Sequence, residues 1–181
     1  MEFITRLLSV DGVPEPISRS EEKGELLVKD KNGILPSLTM VLHQEIEKFN
    51  GLLEVVNQSL YLLKKAIKGT EIMSPDLDNV YTSLLNNNVP AMWANKAYPS
   101  LKPLSSWIKD LRNRIDFMQN WVINGNPMHY WLPGFFYPQG FLTAVRQSYA
   151  RDNEVAIDKL KFDFKVNDTN IEQLTDPPEV R

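Results

Sequence analysis

Cysteine is absent from all 181 residues, which excludes disulfides, thiolate zinc sites and cysteine nucleophiles together. Long apolar runs are absent too. No stretch approaches the roughly 20 residues that span a bilayer, and the start lacks the apolar core of a secretion signal. Neither sign of charge is in excess: the net charge of -3 and a pI near 5.5 give no basis for a nucleic-acid or strongly anionic partner. Glycine is sparse, and none of the 8 falls in a G-x-x-x-x-G-K-[ST] phosphate loop. A G-x-S-x-G elbow and an H-E-x-x-H helix are missing as well. The expectation is a soluble intracellular protein with no catalytic residues, no cofactor, no metal, and neither nucleic acid nor membrane as partner. Sequons at Asn57 and Asn167 carry no weight without secretion.

What is present is an ordinary globular composition, 43% hydrophobic and 24% charged, long enough to bury one real core. Residues 1–36 read as an irregular leader: a short helix from Ile4 to Val10 with Ile4, Leu7 and Leu8 on one face, then Asp11-Gly12, Pro14, Pro16, a charged stretch and Asn32-Gly33 before Pro36. Ser37 is the expected N-cap of a long helix over 37–68, stopped by Gly69. Its seam, Leu42, Ile46, Phe49, Leu53, Val56, Leu60, Leu63 and Ile67, steps by alternating fours and threes. Such a rod is roughly 45 Å long, and packing inside one helical bundle is favoured over a free-standing coiled coil. His43 and Glu47 sit four residues apart on it, a spacing that could hold a metal. With His129 as the only other histidine, a solvated helix face is the stronger reading.

Ser74-Pro75 opens a second helix whose expected buried stripe is Leu77, Val80, Tyr81, Leu84 and Leu85, ended by three asparagines. A proline-rich connector follows, with a helical turn carrying Trp93, and with Tyr98 and Leu101 expected to anchor the loop by packing. Helical period returns at Leu104, Ile108, Leu111, Ile115, Met118 and Val122, flanked by Trp107 and Trp121 and broken at Asn124-Gly125. Asp110 and Asp116 among Lys109, Arg112 and Arg114 read as an ordinary charged helix surface. A further helix from Pro138 carries Phe141, Leu142, Val145 and Tyr149 and ends near Asp152-Asn153. Then the period becomes two: Leu160, Phe162, Phe164 and Val166 alternate with polar residues, as in a half-buried strand.

That strand finds no partner in the sequence, so the fold class expected is mainly α. It is a multi-helix bundle on one long helix, with a C-terminal strand from an incomplete β-rich half. The divisions are an irregular leader 1–36, a helical part 37–153, and a strand with irregular tail 154–181. The aromatic block at 89–143 is its densest feature, with Trp93, Trp107 and Trp121 fourteen residues apart. Core or interface candidates are Phe49, Leu53, Leu60, Trp93, Tyr98, Trp107, Trp121, Trp131, Phe135, Phe136 and Phe141. Aromatics at such positions usually fill a core, and this is favoured over a groove for proline-rich peptides built from Trp131, Phe135, Phe136 and Tyr137.

The segments AYPSLKPL (97–104), WL-x-GFF (131–136) and PQGFLTAV (138–145), in this order, resemble the C-terminal domain of dynein heavy chains. QEIEKFN (44–50), AIKG-x-x-x-MS (66–74), QSYAR (147–151) and IDKLKFDFKV (157–166) extend the resemblance from about residue 38 to 166. The wording of GFFYPQGFLTAV resembles the axonemal branch, and FDFKV with QLTDPPEV leans toward the inner-arm type. The resemblance implies the helical first half of a domain lying on one face of an AAA+ ring, continued by a β-rich half. It implies a parent that is an ATP-driven, minus-end-directed microtubule motor of cilia and flagella, located in the cytoplasm and axoneme. None of its nucleotide-binding motifs occurs here, so this chain itself is not expected to be an enzyme. Implied partners are the rest of the heavy chain, dynein intermediate and light chains in the parent complex, and the microtubule only through a stalk absent here. The competing expectation is an independent helical adaptor that binds partners through its aromatic loop.

Overall fold

A computed structural model describes residues 13–19, 24–29 and 33–164. The expected short helix at 4–10 and the last residues of the expected strand, from 165 on, lie outside the described residues. Five α-helices follow one another: α1 (Ser37–Ile67), α2 (Pro75–Leu85), α3 (Ala91–Ala94), α4 (Leu104–Asn124) and α5 (Pro138–Asp152). Short 3-10 turns occupy Gly24–Leu27, Leu132–Gly134 and Ile157–Lys159. Among the described residues there is no strand, and the fold is mainly helical.

The long helix organises the rest because its buried surface is wide. Besides Leu42, Ile46, Phe49, Leu53, Val56, Leu60 and Leu63, it buries Glu45, Leu52 and Ser59, a second column at intervals of seven. Two adjacent columns make a stripe broad enough to receive several helices. α1 touches α2, α3, α4 and α5, and α5 most extensively. The segment before α1 is tied to the same core: Ile17 and Leu26 are buried. Asn50 fixes the Ile17 backbone in both directions, accepting from its N–H at 2.8 Å and donating to its carbonyl at 3.0 Å.

Helix ends follow local chemistry. At α1 the cap is Pro36, not Ser37. Proline holds its own backbone extended at φ -53 and ψ 141, while Ser37 is the first helical residue and makes no capping bond. The C-terminus closes through a left-handed Gly69 at φ 74, with Thr70 N–H donating to the Lys65 carbonyl and Gly69 N–H to that of Ala66. α2 begins with the Ser74 hydroxyl accepting from Leu77 N–H. It ends the same way as α1, with Asn87 taking the left-handed position at φ 56. That residue also starts α4: its carbonyl accepts from Leu104 N–H at 2.9 Å and its side-chain oxygen from Ser105 N–H at 3.1 Å.

Three expected core positions are at the surface. Ile67 is 51% exposed in the last turn of α1, where the partner helices have ended, and Leu85 is 50% exposed in the last turn of α2. Leu101 packs on nothing: it is as exposed as in an extended peptide, at 105%, because the connector is anchored at Tyr98 and Leu104 on either side of it. Residues 160–164 are irregular and carry no ladder, with Phe162 and Phe164 stacked at 6.1 Å and both exposed.

The fully buried seam yields a direct expectation. Leu53→Ala should lower the unfolding free energy by about 2–5 kcal/mol, whereas Ile72→Ala, at an exposed site between α1 and α2, should change it by less than about 0.5 kcal/mol. Urea unfolding midpoints of both variants check this.

Candidate functional site

The aromatic block condenses around two linked ring clusters. In the first, Trp107 stacks against Trp93 at 6.0 Å and against Tyr98 at 6.3 Å. Tyr98 then meets Phe136 edge-on at 5.6 Å, and Phe136 meets Phe49 of α1 at 4.7 Å. In the second, Phe135 packs with Phe141 at 4.7 Å, with Phe117 at 6.0 Å and with Trp121 at 6.2 Å. Tyr130 closes this cluster against Trp121 and Phe141. Edge-to-face and offset contacts of this kind add roughly 0.5–1.5 kcal/mol per pair beyond burial. Two indole N–H groups are satisfied inside: Trp93 donates to Ser59 Oγ at 2.9 Å and Trp121 to Asn126 Oδ1 at 3.0 Å.

Between the clusters lies a buried ionic junction. Arg114 of α4 donates through Nε to Asp110 Oδ2 at 2.7 Å and through Nη1 to the Pro133 carbonyl. Its guanidinium sits 3.7 Å from the Tyr98 ring centroid and 5.3 Å from that of Trp131, so it is held by cation–π contact on two sides. Lys102 from the connector reaches the other oxygen of Asp110. From α1, Glu45 accepts the backbone N–H of Phe136 at 2.6 Å and of Tyr137 at 2.9 Å, one on each carboxylate oxygen. Groups from α1, α4, the connector and the 131–137 loop thus meet in one place.

The environment shifts each group by an identifiable cause. Burial pushes the Glu45 carboxyl above its ordinary value, and the two N–H bonds and the Arg114 charge only partly offset that. Burial also raises Asp110, but the hydrogen bonds from Lys102 and Arg114 outweigh it and hold the carboxyl below its usual range. Burial drives the Tyr98 phenol far up, against the pull of the Arg114 charge, and the neighbouring Asp110 carboxylate adds to the rise. Tyr130 is half-buried against the Trp121 and Phe141 rings, and the loss of solvent pushes its phenol up to about 12.

Asp110 and Arg114 are therefore not the solvated helix surface that their spacing suggests; Asp116 and Arg112 are exposed, as are Lys109 and Glu47. The signal for Arg114 was in the tryptophan spacing. Trp107, Arg114 and Trp121 stand seven apart, so the arginine lies on the same helical line as two buried indoles. Glu45 had a parallel signal in its seven-residue steps to Leu52 and Ser59. Of the core or interface candidates, Phe49, Leu53, Leu60, Trp93, Tyr98, Trp107, Trp121, Phe135 and Phe141 are buried, while Trp131 and Phe136 are half-buried. The Trp131 ring lies over Gly134 so closely that a Cβ there would come within 2.6 Å of it. Of the four residues of the expected groove, Phe135 is buried, Trp131 and Phe136 are half-buried and Tyr137 is exposed.

The arrangement holds rather than reacts. Every oxygen of Glu45 and Asp110 already carries a donor. Among the described residues no three His, Asp or Glu side chains are grouped for a metal, and no helix is long and apolar enough to cross a membrane. A depression of 430 Å³ at Asp76, Asn79, Val80, Ser83, Pro90 and Met92 has one ionisable lining group, Asp76.

Comparison with known proteins gives these residues a setting. The family formed by the C-terminal domain of dynein heavy chains matches residues 7–180, reaching well into the stretch before α1. The human protein named dynein axonemal heavy chain 6 is 49% identical over 161 residues, 89% of this chain and 4% of that protein. Human dynein axonemal heavy chain 1 is 45% identical over 168 residues, and the Chlamydomonas reinhardtii dynein-1-beta heavy chain of the flagellar inner arm I1 complex 43% over 178, which are 93% and 98% of this chain. The sequence spans about 4% of the length of each of these relatives.

The two carboxylates predict opposite pH behaviour. Glu45 holds its proton more firmly folded than unfolded, so stability from this group falls as pH rises through the window just above its ordinary 4.5. Asp110 contributes stability above its ordinary 3.8, and that contribution is lost as pH falls through its lower folded value. Glu45→Gln should remove the loss above pH 4.5. It should also cost about 1–3 kcal/mol at lower pH, because the amide nitrogen faces an N–H it cannot accept. Unfolding free energies of both proteins between pH 4 and 7 test this; parallel profiles would refute the assignment.

Proposed function

Because the protein belongs to the family of C-terminal domains of dynein heavy chains, we propose that it is a non-catalytic part of an axonemal dynein heavy chain. In this reading the parent is an ATP-driven, minus-end-directed microtubule motor of cilia and flagella. This region packs on one face of its AAA+ ring and supports or regulates motor activity. The observation that carries the proposal is identity of 43–49% to axonemal heavy chains across most of the sequence. The inner-arm name of the Chlamydomonas relative favours an inner-arm parent. The junction suits such a role, because a module that transmits or resists force needs its loops fixed to its helices. Its partners are the remainder of the heavy chain, including a β-rich part, with intermediate and light chains in the whole complex. The microtubule is reached only through a stalk elsewhere in the parent. Its place is the axoneme.

Two measurements test this. Antibody raised to residues 37–153 should detect a polypeptide many times larger than 20.8 kDa, co-sedimenting with axonemes; a product near 20.8 kDa would instead favour an independent adaptor. The purified 181-residue protein should show no saturable binding of labelled ATP at micromolar levels, and such binding would overturn the non-catalytic assignment.

The segment from Leu160 is proposed to complete a sheet with the β-rich part. Its exposed Phe162 and Phe164 and its two-residue period support this. Amide exchange across residues 160–166 should be fast in the dilute monomer and slow in the parent. Strong protection in the isolated monomer would contradict it.

A further inference from the structure

The motif AYPSLKPL is only half explained by the core. Tyr98 is buried against Trp107 and Arg114, and Leu104 is fully buried at the start of α4. Between them the backbone is irregular, with Leu101 fully exposed and no other residue packed over it. This segment is held from several sides. Pro99 and Pro103 restrict the backbone, the Ser100 hydroxyl accepts from Lys102 N–H at 3.2 Å, the Lys102 ammonium is tied to Asp110, and Leu104 N–H is tied to the Asn87 carbonyl. An apolar side group presented on a fixed loop binds with little ordering cost, unlike one on a loose tail.

The charge around it is one-sided. From Asp78 to Asp110 the intervening residues include no aspartate or glutamate and three lysines, Lys96, Lys102 and Lys109, although the protein as a whole is net acidic. All three lysines are exposed. A leucine flanked in sequence by exposed lysines, of which Lys102 is shared with Asp110, matches a surface of the reverse pattern, an apolar pocket with carboxylates on its rim. Resting on the reading of this protein as part of a heavy chain, we infer that Leu101 is the central contact of a docking knob. Its occupant is an acid-rimmed apolar pocket in the remainder of the same heavy chain. Lys96 and Lys109 face the carboxylates, while Lys102 is divided between Asp110 and the rim.

Zero-length carbodiimide cross-linking of the full heavy chain that includes this sequence, read by mass spectrometry, tests the inference. Lys96 and Lys109 should join carboxylates outside residues 1–181 of the same polypeptide. Leu101→Asp should cut the yield of those links about tenfold or more, as loss of a buried leucine contact implies, while Leu101→Met retains them. Because Leu101 touches nothing within the domain, unchanged tryptophan emission in both variants verifies that the fold is intact. If Lys48 or Lys68 cross-links to the remainder while Lys96 and Lys109 do not, the knob is refuted and the ring-packing reading stands. If no lysine of residues 1–181 reaches the remainder, that reading falls too. Links from Lys96 and Lys109 to a second copy or to a separate subunit would refute the occupant named here, as would links insensitive to Leu101→Asp.

Discussion

A guanidinium cannot shed its proton at any accessible pH, so a buried arginine must find partners wherever it is placed. Arg114 meets that demand with Asp110, the Pro133 carbonyl and the faces of Tyr98 and Trp131. Beyond Asp110 on its own helix, these partners come from the connector and the 131–137 loop, which are otherwise largely irregular. The connector must bring Tyr98 inward, and the 131–137 loop must turn a carbonyl toward α4. The ionic cluster adds little net stability by itself, since desolvation consumes most of the attraction. Its effect is selective: alternative loop placements leave a charge in the core with no partner.

Glu45 extends the same constraint to the long helix. A carboxylate facing two backbone N–H groups fixes the position and direction of the loop at Phe136 and Tyr137. The rings then fill the space on either side, with Phe49 and Phe136 in contact across the α1 interface. A loop rich in aromatics and prolines is thereby made as fixed as the helices beside it.

The helices were legible because their apolar periods are long and their stops are chemically explicit. Gly69, the asparagines at 86–88 and Asn124-Gly125 each mark a helix end within two residues of the structure's boundary. Tertiary contacts were less legible. Ser37 has the residue type of a cap, but Pro36 occupies the position. Leu101 has the residue type of an anchor, but Tyr98 and Leu104 take the inward sites. Asp110 and Arg114 have the spacing of a solvated pair, and only the alignment of Arg114 with Trp107 and Trp121 marks the pair as interior. The family resemblance was carried by loop wording, and those loops contain the junction. The Ile17 attachment through Asn50 had no local signature, since neither residue belongs to a periodic pattern that points at the other.

Asn87 ends α2 and caps α4, which brings residues 87 and 104 together whatever lies between them. The connector is therefore a closed loop whose base is fixed independently of its contour. Residues added at its apex would meet only the slowly growing entropy of a longer ring, about 0.6 kcal/mol for each doubling. A change in the length of this apex would therefore leave the helices where they are. The connector is the part of the domain in which a new binding specificity could arise at least risk to the fold.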